Sequence, residues 1–249
     1  QSESTVTEVQ ATAEEAERVY QRTETLRAKG SSSQAQTDQV RHRPDAAGGI
    51  GDAVRPLRRG ADRTALVSAD NFGLGKMAAA GLSPHIPEGA EVGILGFAAD
   101  FFATNEREIA FTKWLQLNRP DITPRVRRFA RIEEAAATAD DLFLDHPDLA
   151  GLFVVWDTPA LAAAARLTDR QPTLPMATVD LGEAAAIALA HGDTLCCIAA
   201  QQPFLQGIAA AQTVVLCLLG RPVPAWIALP GIAVSRENVV ETFQTIWRQ

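Results

Sequence analysis

Residues 151–167, which read GLFVVWDTPALAAAARL, contain the clearest indication of the fold class. The apolar run Gly151–Trp156 predicts a buried strand, because such runs of four to eight residues with no polar alternation are typical of sheets covered on both faces. The next stretch, Pro159–Arg166, predicts a helix whose proline lies in the first turn, where a missing N–H is tolerated. A strand followed so closely by a helix indicates a parallel sheet with helical crossovers.

The same alternation runs through residues 63–249 and predicts an α/β fold, a Rossmann-like parallel sheet with helices on both faces. The predicted strands are Thr64–Ser68, Glu91–Phe97, Arg125–Phe129, Gly151–Trp156, Met176–Val179 and Thr194–Ala199. The predicted helices are Phe72–Leu82, Ala103–Asn118, Ile132–Asp145, Pro159–Arg166, Gly182–His191, Pro203–Leu219 and Arg236–Arg248. Two of these helices have predicted caps, Gly220 at the C-terminus of the sixth and Ser235 at the N-terminus of the last.

Residues 1–62 have a different composition. Only 18 of them are apolar, nine of these are alanine, and all ten phenylalanines and all four tryptophans lie beyond residue 70. A segment this poor in large apolar side chains cannot offset the entropy cost of ordering. We therefore predict a polar extension, with one possible helix over about Thr7–Ala28 followed by linker or disorder.

The overall composition excludes several classes of protein. The formal charge of −7 over 249 residues argues against a nucleic-acid partner, which requires clustered Lys and Arg. Three cysteines cannot form a disulfide framework, and no apolar run approaches the roughly 20 residues that span a bilayer. The chain begins Gln1-Ser2-Glu3-Ser4, in which we see no signal peptide.

No set of residues in the sequence indicates catalysis. The four histidines and three cysteines lack metal-ligand spacing, and no phosphate loop, nucleophile elbow or dinucleotide fingerprint is present. We therefore predict no enzymatic activity, no catalytic residue, no cofactor and no bound metal. Cys196 and Cys197 are adjacent on a predicted strand, which predicts side chains on opposite faces and buried, inert thiols.

A candidate ligand site follows from the predicted topology. Ligands of parallel α/β sheets bind beyond the carboxyl ends of the strands. Planar rings found there can stack on the apolar face of a sugar, and carboxylate, amide and guanidinium groups can satisfy its hydroxyls. The predicted ligand-binding residues at this edge are Arg107, Phe129, Trp156, Asp157, Asp180 and Gln201.

Ordinary structural roles remain open for several of these residues. Asp157 could cap the helix that follows it, Arg107 could form a surface ion pair with neighbouring glutamates, and Phe129 could belong to the core. Trp156 is long for a core position at a strand end, which favours a ligand face. Asp180 at a strand terminus would need a partner if it were buried.

The order of short motifs along the chain carries a family resemblance. The motifs are Ala69-Asp70-Asn71, Gly75-Lys76, Glu106-Arg107, Phe111, Phe129, Trp156-Asp157-x-x-Ala160, Val179-Asp180, Ala200-Gln201-x-Pro203-x-x-x-Gly207, Leu229-Pro230-Gly231, Arg236-Glu237-Asn238 and Trp247. In this order and spacing, residues 63–249 resemble the sugar-type periplasmic binding proteins, the ribose-binding-protein-like receptors of ABC importers.

This resemblance implies a two-lobed clamshell, with Rossmann-like lobes joined by three hinge strands, that closes on a sugar. By similarity, Arg107 and Asp180 hydrogen-bond ring hydroxyls, Phe129 stacks on the ring, and Gln201 reaches the ligand from the hinge. Trp156 stands where many relatives have an amide residue. The implied function is the substrate-binding component of an ABC-type importer for a monosaccharide or polyol, periplasmic or extracytoplasmic, with an ABC permease as its membrane partner.

The front of the chain departs from that family. Residues 1–62 lack the strands and helices of a first lobe, so we expect a near-complete second lobe and a truncated or degenerate first one, with binding impaired. Residues 203–220 would return to the first lobe, and we expect a monomer unless this apolar helix drives association. The alternative is the effector-binding domain of a lac-repressor-like transcription regulator. That reading requires a basic helix-turn-helix, which Thr7–Ala28 fits poorly.

Overall fold

The computed structural model describes residues 64–167, 173–192 and 194–247, and the predictions for residues 1–62 lie outside these residues. Strands and helices alternate along the chain. The strands are β1 (Leu66–Ala69), β2 (Glu91–Phe97), β3 (Thr123–Phe129), β4 (Leu149–Val154), β5 (Met176–Val179), β6 (Leu195–Ala200), β7 (Trp226–Leu229) and β8 (Ile232–Val234). The helices are α1 (Asn71–Leu82), α2 (Phe102–Asn118), α3 (Ala135–Asp145), α4 (Asp157–Leu167), α5 (Glu183–His191), α6 (Pro203–Leu218) and α7 (Val239–Trp247), with 3₁₀ turns at Ser83–His85 and Ile132–Glu134.

The main sheet has the predicted Rossmann-like architecture. Its six strands have the order β3-β2-β4-β5-β6-β8; the first five are parallel, and β8 is antiparallel to β6. Successive residues of β4 contribute to two separate apolar cores: Leu152 and Val154 pack with α3, α4 and α5, whereas Phe153 packs with α1 and α2. Helices therefore cover both faces, and the predicted α/β class is confirmed.

Two strands and one cap were not predicted correctly. Strands β7 and β8 were not predicted, because they have only four and three residues and Pro230-Gly231 separates them, so neither shows a periodic pattern. The last helix begins at Val239 rather than Arg236. Ser235 does not cap it; instead the Asn238 side chain accepts a hydrogen bond from the Ser235 amide at 2.8 Å.

The described chain divides into two compact units. The larger comprises Ala69–Pro203 and Pro230–Gln249 and contains the six-stranded sheet; the smaller includes Phe204–Leu229 and the residues up to Ser68. Within the smaller unit β1 pairs with β7, and the Trp226 indole donates to the Ser68 hydroxyl at 3.0 Å. The division into residues 1–62 and 63–249 remains a prediction, because the first of these segments is not described.

Helix α6 of the smaller unit has an apolar, exposed surface. It ends at Leu218, one residue before the predicted end, and Gly220 caps it as predicted, because its φ of 66° lets the Arg221 amide reach the Leu216 carbonyl at 2.9 Å. The exposed apolar side chains on and just after this helix are Phe204, Val214, Val215, Leu216, Leu218 and Leu219. None of the helices in the described part of the chain is long and apolar enough to span a membrane.

The prediction that Cys196 and Cys197 point to opposite faces is wrong. Met176 pairs with Leu195 while Ala177 pairs with Cys197, so Cys196 is the extra residue of a β-bulge. The bulge turns both thiols to one side, with 4.0 Å between their Sγ atoms. This contact is the largest influence on both groups, lowering the pKa of Cys196 and raising the pKa of Cys197. Both residues are partly exposed rather than buried.

Helices α1 and α2 approach each other closely at Gly75. A Cβ atom at this position would lie 2.3 Å from the Arg107 carbonyl oxygen and 2.9 Å from the Ala110 Cβ, so the backbones could not keep their separation. Gly75 therefore fixes the distance from α1 to the part of α2 that carries Arg107.

We predict that Gly75→Ala destabilises the protein by about 1–3 kcal/mol, the usual cost of overpacking. The matched control is Gly207→Ala in α6, where an added Cβ meets no atom within 4 Å. That change should raise stability by about 0.5–1 kcal/mol, because alanine is the better helix former. Chemical denaturation of both variants measures the difference. Equal effects would show that α1 and α2 are not packed at Gly75.

Candidate ligand-binding site

A buried guanidinium organises the carboxyl edge of the main sheet. Arg107 lies on α2 and is only 4% exposed. Its Nε donates to Asn71 Oδ1 at 3.0 Å, and its Nη1 donates to the Val155 carbonyl at 3.0 Å. Nη1 and Nη2 also hold the two carboxylate oxygens of Asp180, at 3.1 and 3.2 Å. The surface ion pair considered from the sequence is therefore wrong, since Arg107 forms a two-point pair inside the fold.

Asp180 follows β5 and is held in an unusual backbone conformation. Its φ of 75° makes it the one non-glycine residue with positive φ in the described part of the chain. Its carboxylate accepts from Arg107 and from the Gln201 amide, the latter at 2.7 Å, and its side chain is 24% exposed. Such conformations persist only where the surroundings impose them, and they cluster at functional sites. Asp180 thus has the partner that its position required.

Asn71 was not among the predicted site residues, although it lies in the motif Ala69-Asp70-Asn71. It is buried at the start of α1, accepts from Arg107 Nε and donates to the Ala69 carbonyl at 3.3 Å. The neighbouring Asp70 caps the same helix by accepting from the Gly73 amide at 2.9 Å. The sequence did contain a signal, because two residues that can cap a helix, Asp70 and Asn71, follow a strand. A helix needs only one N-cap, so the second residue is available for another role.

Three aromatic rings pack together beside the polar network. Ring centroids are 5.5 Å apart for Phe97 and Phe129, 5.3 Å for Phe97 and Trp156, and 5.3 Å for Phe129 and Trp156. Phe129 is only 1% exposed, whereas Phe97 and Trp156 are partly exposed. The geometry favours the core role for Phe129, and its stacking on a ligand remains a prediction. Phe97, the last residue of β2, was missed because it was assigned to the strand.

Asp157 connects two loops of the same edge. It begins α4 and accepts a hydrogen bond from the Gly182 amide at Oδ2, 3.0 Å away. Thr158 Oγ1 donates to the other carboxylate oxygen at 3.2 Å. A Cβ on Gly182 would lie 2.7 Å from Asp157 Oδ2, so only glycine permits this approach. Asp157 therefore holds the turn after β5 against the end of β4.

The six residues selected from the sequence lie along one edge of the sheet. Arg107, Asp180 and Gln201 are linked by hydrogen bonds, Phe129 and Trp156 are in ring contact, and Asp157 follows Trp156. Arg107 neutralises Asp180, and Asp157 adds a negative charge. In the described residues, no group of three or more His, Cys, Asp or Glu side chains could hold a metal ion. The edge offers amide, carboxylate and aromatic groups, which suit a ligand rich in hydroxyls.

Comparison with known proteins identifies the family. Residues 54–222 match the family described as the periplasmic binding protein domain, and the chain belongs to this family. The architecture of the main sheet agrees with this assignment, as does the position of the polar network beyond the carboxyl ends of its strands.

Three relatives illustrate the likeness. The chain is 28% identical over 189 residues to the ribose import binding protein of Bacillus subtilis (strain 168), covering 75% of this chain and 61% of that protein. An ABC transporter solute-binding protein from Agrobacterium vitis, bound with alpha-D-tagatopyranose, has a TM-score of 0.67 at 22% identity, covering 77% and 65% of the two chains. One from Mycobacterium smegmatis with bound glycerol has a TM-score of 0.65 at 25% identity, covering 76% and 66%. The chain spans less than two thirds of each relative.

We predict that Arg107→Met destabilises the protein by about 3–5 kcal/mol, because it leaves the Asp180 carboxylate without its buried counter-ion. The matched control is Arg128→Met, which removes an ion pair with Glu108 from an arginine whose side chain is 51% exposed. Its effect should be below about 1 kcal/mol. Urea unfolding of both variants gives the comparison. Similar losses for the two arginines would contradict the central role of Arg107.

Proposed function

We propose that this chain is the substrate-binding component of an ABC-type sugar importer and binds a monosaccharide or polyol at the carboxyl edge of its main sheet. The observation that carries this proposal is the network of Arg107, Asp180 and Gln201 beside the partly exposed rings of Phe97 and Trp156. Membership of the periplasmic binding protein domain family supports it, as does the similarity to a ribose import binding protein and to a tagatose-bound solute-binding protein.

The charge balance of the site favours a neutral ligand. The Arg107 guanidinium already binds both oxygens of Asp180, and Asp157 adds a further negative charge. A ligand carboxylate or phosphate would have to compete with Asp180 for Arg107 and would meet a like charge on Asp157. Hydroxyls can instead donate to the exposed part of the Asp180 carboxylate without displacing the arginine.

Trp156 is the better candidate for the stacking surface. It is partly exposed and lies in edge contact with Phe97, while Phe129 supports both rings from a buried position. The Trp156 side chain has only two rotatable bonds and is already packed against other rings. Stacking it on the apolar face of a sugar ring therefore costs little conformational entropy. Trp156 stands where many members of the family have an amide side chain. It therefore replaces a hydrogen bond to the ligand with a stacking contact.

The proposed mechanism is a population shift driven by the ligand. In the two-lobed form of this family, a ligand that contacts both lobes favours the closed conformation, and the permease recognises that form. The protein would act on the periplasmic or extracytoplasmic side of the membrane. The alternative role in transcription needs an N-terminal DNA-binding helix-turn-helix, and no observation on the described residues favours it.

A thermal-shift panel tests the proposed function. We expect at least one neutral monosaccharide or polyol, among ribose, tagatose, allose, arabinose, allitol and glycerol, to raise the melting temperature, because a ligand that binds only the folded form stabilises it. At a concentration of about 100 Kd the stabilisation is about 2.7 kcal/mol. Sugar acids of matching size, such as gluconate, should leave the melting temperature unchanged. A flat response to all neutral compounds would refute the proposal.

We predict that Trp156→Ala weakens binding of the sugar found in that panel by about tenfold, the equivalent of one aromatic contact. Leu144→Ala is the control, since this α3 side chain is 70% exposed and lies outside the site. Phe129→Leu should lower stability more than affinity, because its ring is buried. Isothermal titration calorimetry measures each affinity. Unchanged binding by Trp156→Ala, with a large loss for a folded Phe129→Leu, would assign stacking to Phe129 instead.

A further inference from the structure

The bulge in β6 creates a second chemical feature, at the end of the strand opposite to the proposed sugar site. Cys196 and Cys197 lie near the start of β6, whereas Gln201 follows its last residue. Strand β8 pairs only with Ile198–Ala200, so the two cysteines lie beyond the end of that pairing. Both are partly exposed, and their Sγ atoms are 4.0 Å apart on the same side of the strand.

The surroundings hold the two sulfur atoms in place. Cys196 Sγ donates to the Met176 carbonyl at 3.3 Å, and Cys197 Sγ lies 3.9 Å from the Ala78 carbonyl of α1. Gly81 of α1 makes room for the second thiol, since a Cβ there would lie 2.6 Å from Cys197 Sγ. Contacts from β5 and α1 thus fix an adjacent dithiol instead of leaving two independent side chains.

A disulfide between these residues is disfavoured by geometry. Adjacent Cα atoms across a trans peptide are about 3.8 Å apart, whereas disulfide-linked Cα atoms are usually about 4.4–6.8 Å apart. No peptide bond in the described residues is cis. Closing the bond would also require the sulfur atoms to move from 4.0 Å to about 2.05 Å. The bulge therefore places two thiols side by side in a geometry that disfavours a disulfide bond between them.

A single thiophilic ion fits the same separation. Two metal–sulfur bonds of about 2.3 Å, the length found in zinc thiolates, span up to about 4.6 Å when collinear, so an ion can bridge sulfurs 4.0 Å apart with a bent sulfur–metal–sulfur angle. Structural zinc requires four ligands, and the described residues contain no group of three or more His, Cys, Asp or Glu that could bind a metal. Two thiolates alone suit an ion of low coordination number and soft character, such as Cu(I).

We propose that Cys196 and Cys197 form a two-sulfur site for a monovalent thiophilic ion, with Cu(I) as its chemical type. Each thiol releases its proton to solvent as its sulfur bonds to the ion, so two protons leave and no group is oxidised or reduced. Because the ion carries one positive charge and the two thiolates carry two negative ones, the loaded site is negative, and Cys196 no longer donates to the Met176 carbonyl. Because the site is distant from Gln201 along β6, the proposal does not depend on sugar binding.

Anaerobic competition with a chromophoric Cu(I) chelator tests this site in the full chain. We expect the native protein to remove one equivalent of Cu(I) from the chelator, and Cys217→Ser to do the same, since Cys217 lies on α6 outside the pair. Cys196→Ser and Cys197→Ser should each weaken binding by about a hundredfold or more, because loss of a supporting residue alone costs up to about that much. Retained affinity in either serine variant, or its loss in Cys217→Ser, would overturn the proposal.

X-ray absorption spectroscopy keeps the test decisive if a serine variant fails to fold. The native chain loaded with one equivalent of Cu(I) should show two sulfur neighbours at about the bond length of a metal thiolate. A shell of nitrogen or oxygen atoms would overturn the assignment, as would a copper–copper distance that indicates a cluster. Circular dichroism of each variant establishes which of the two measurements applies.

Discussion

The buried guanidinium of Arg107 must be paired, and this requirement determines the geometry of the site. A cation that is 4% exposed is tolerated only if its donors are satisfied, and Arg107 donates to a side chain of α1, a carbonyl after β4 and a carboxylate after β5. Gln201, after β6, binds that same carboxylate. Helix α2 therefore fixes the positions of three strand ends relative to α1, and Gly75 permits the close approach that this arrangement requires.

The same network explains the strained backbone at Asp180. A positive φ at a non-glycine residue is costly unless the fold compensates for it, and here the compensation is a two-point ion pair together with an amide donor. Asp157 acts on the next turn of the chain by accepting from the Gly182 amide. Contacts on Asp180 itself and on Gly182, two residues later, thus hold the exposed part of the Asp180 carboxylate in one orientation. For the proposed ligand, a rigid acceptor of this kind would favour recognition by geometry over recognition by charge.

Much of this arrangement could be predicted from the sequence, because strand–helix alternation is encoded in local runs of residues. Strands β2 and β5 have the predicted bounds, and the topological rule for parallel sheets selected the edge at which Arg107, Asp180 and Gln201 are joined. Tertiary detail could not be obtained this way. The burial of Phe129 depends on rings from β2 and from the turn after β4, and the bulge at Cys196 depends on the register with β5, which no local pattern reveals.

Preorganisation makes the edge suited to binding an uncharged, hydroxyl-rich molecule. Arg107 is already dehydrated and paired before any ligand arrives, so binding need not incur the cost of burying its charge. Its donors polarise Asp180, and a hydroxyl that donates to this carboxylate joins a connected chain of hydrogen bonds in a region of low dielectric constant. The ring of Trp156 is likewise held by Phe97 and Phe129, so little rotational freedom remains to be lost. For the proposed sugar ligand, specificity would then follow from shape, because an arginine whose charge is already compensated offers little to an anion.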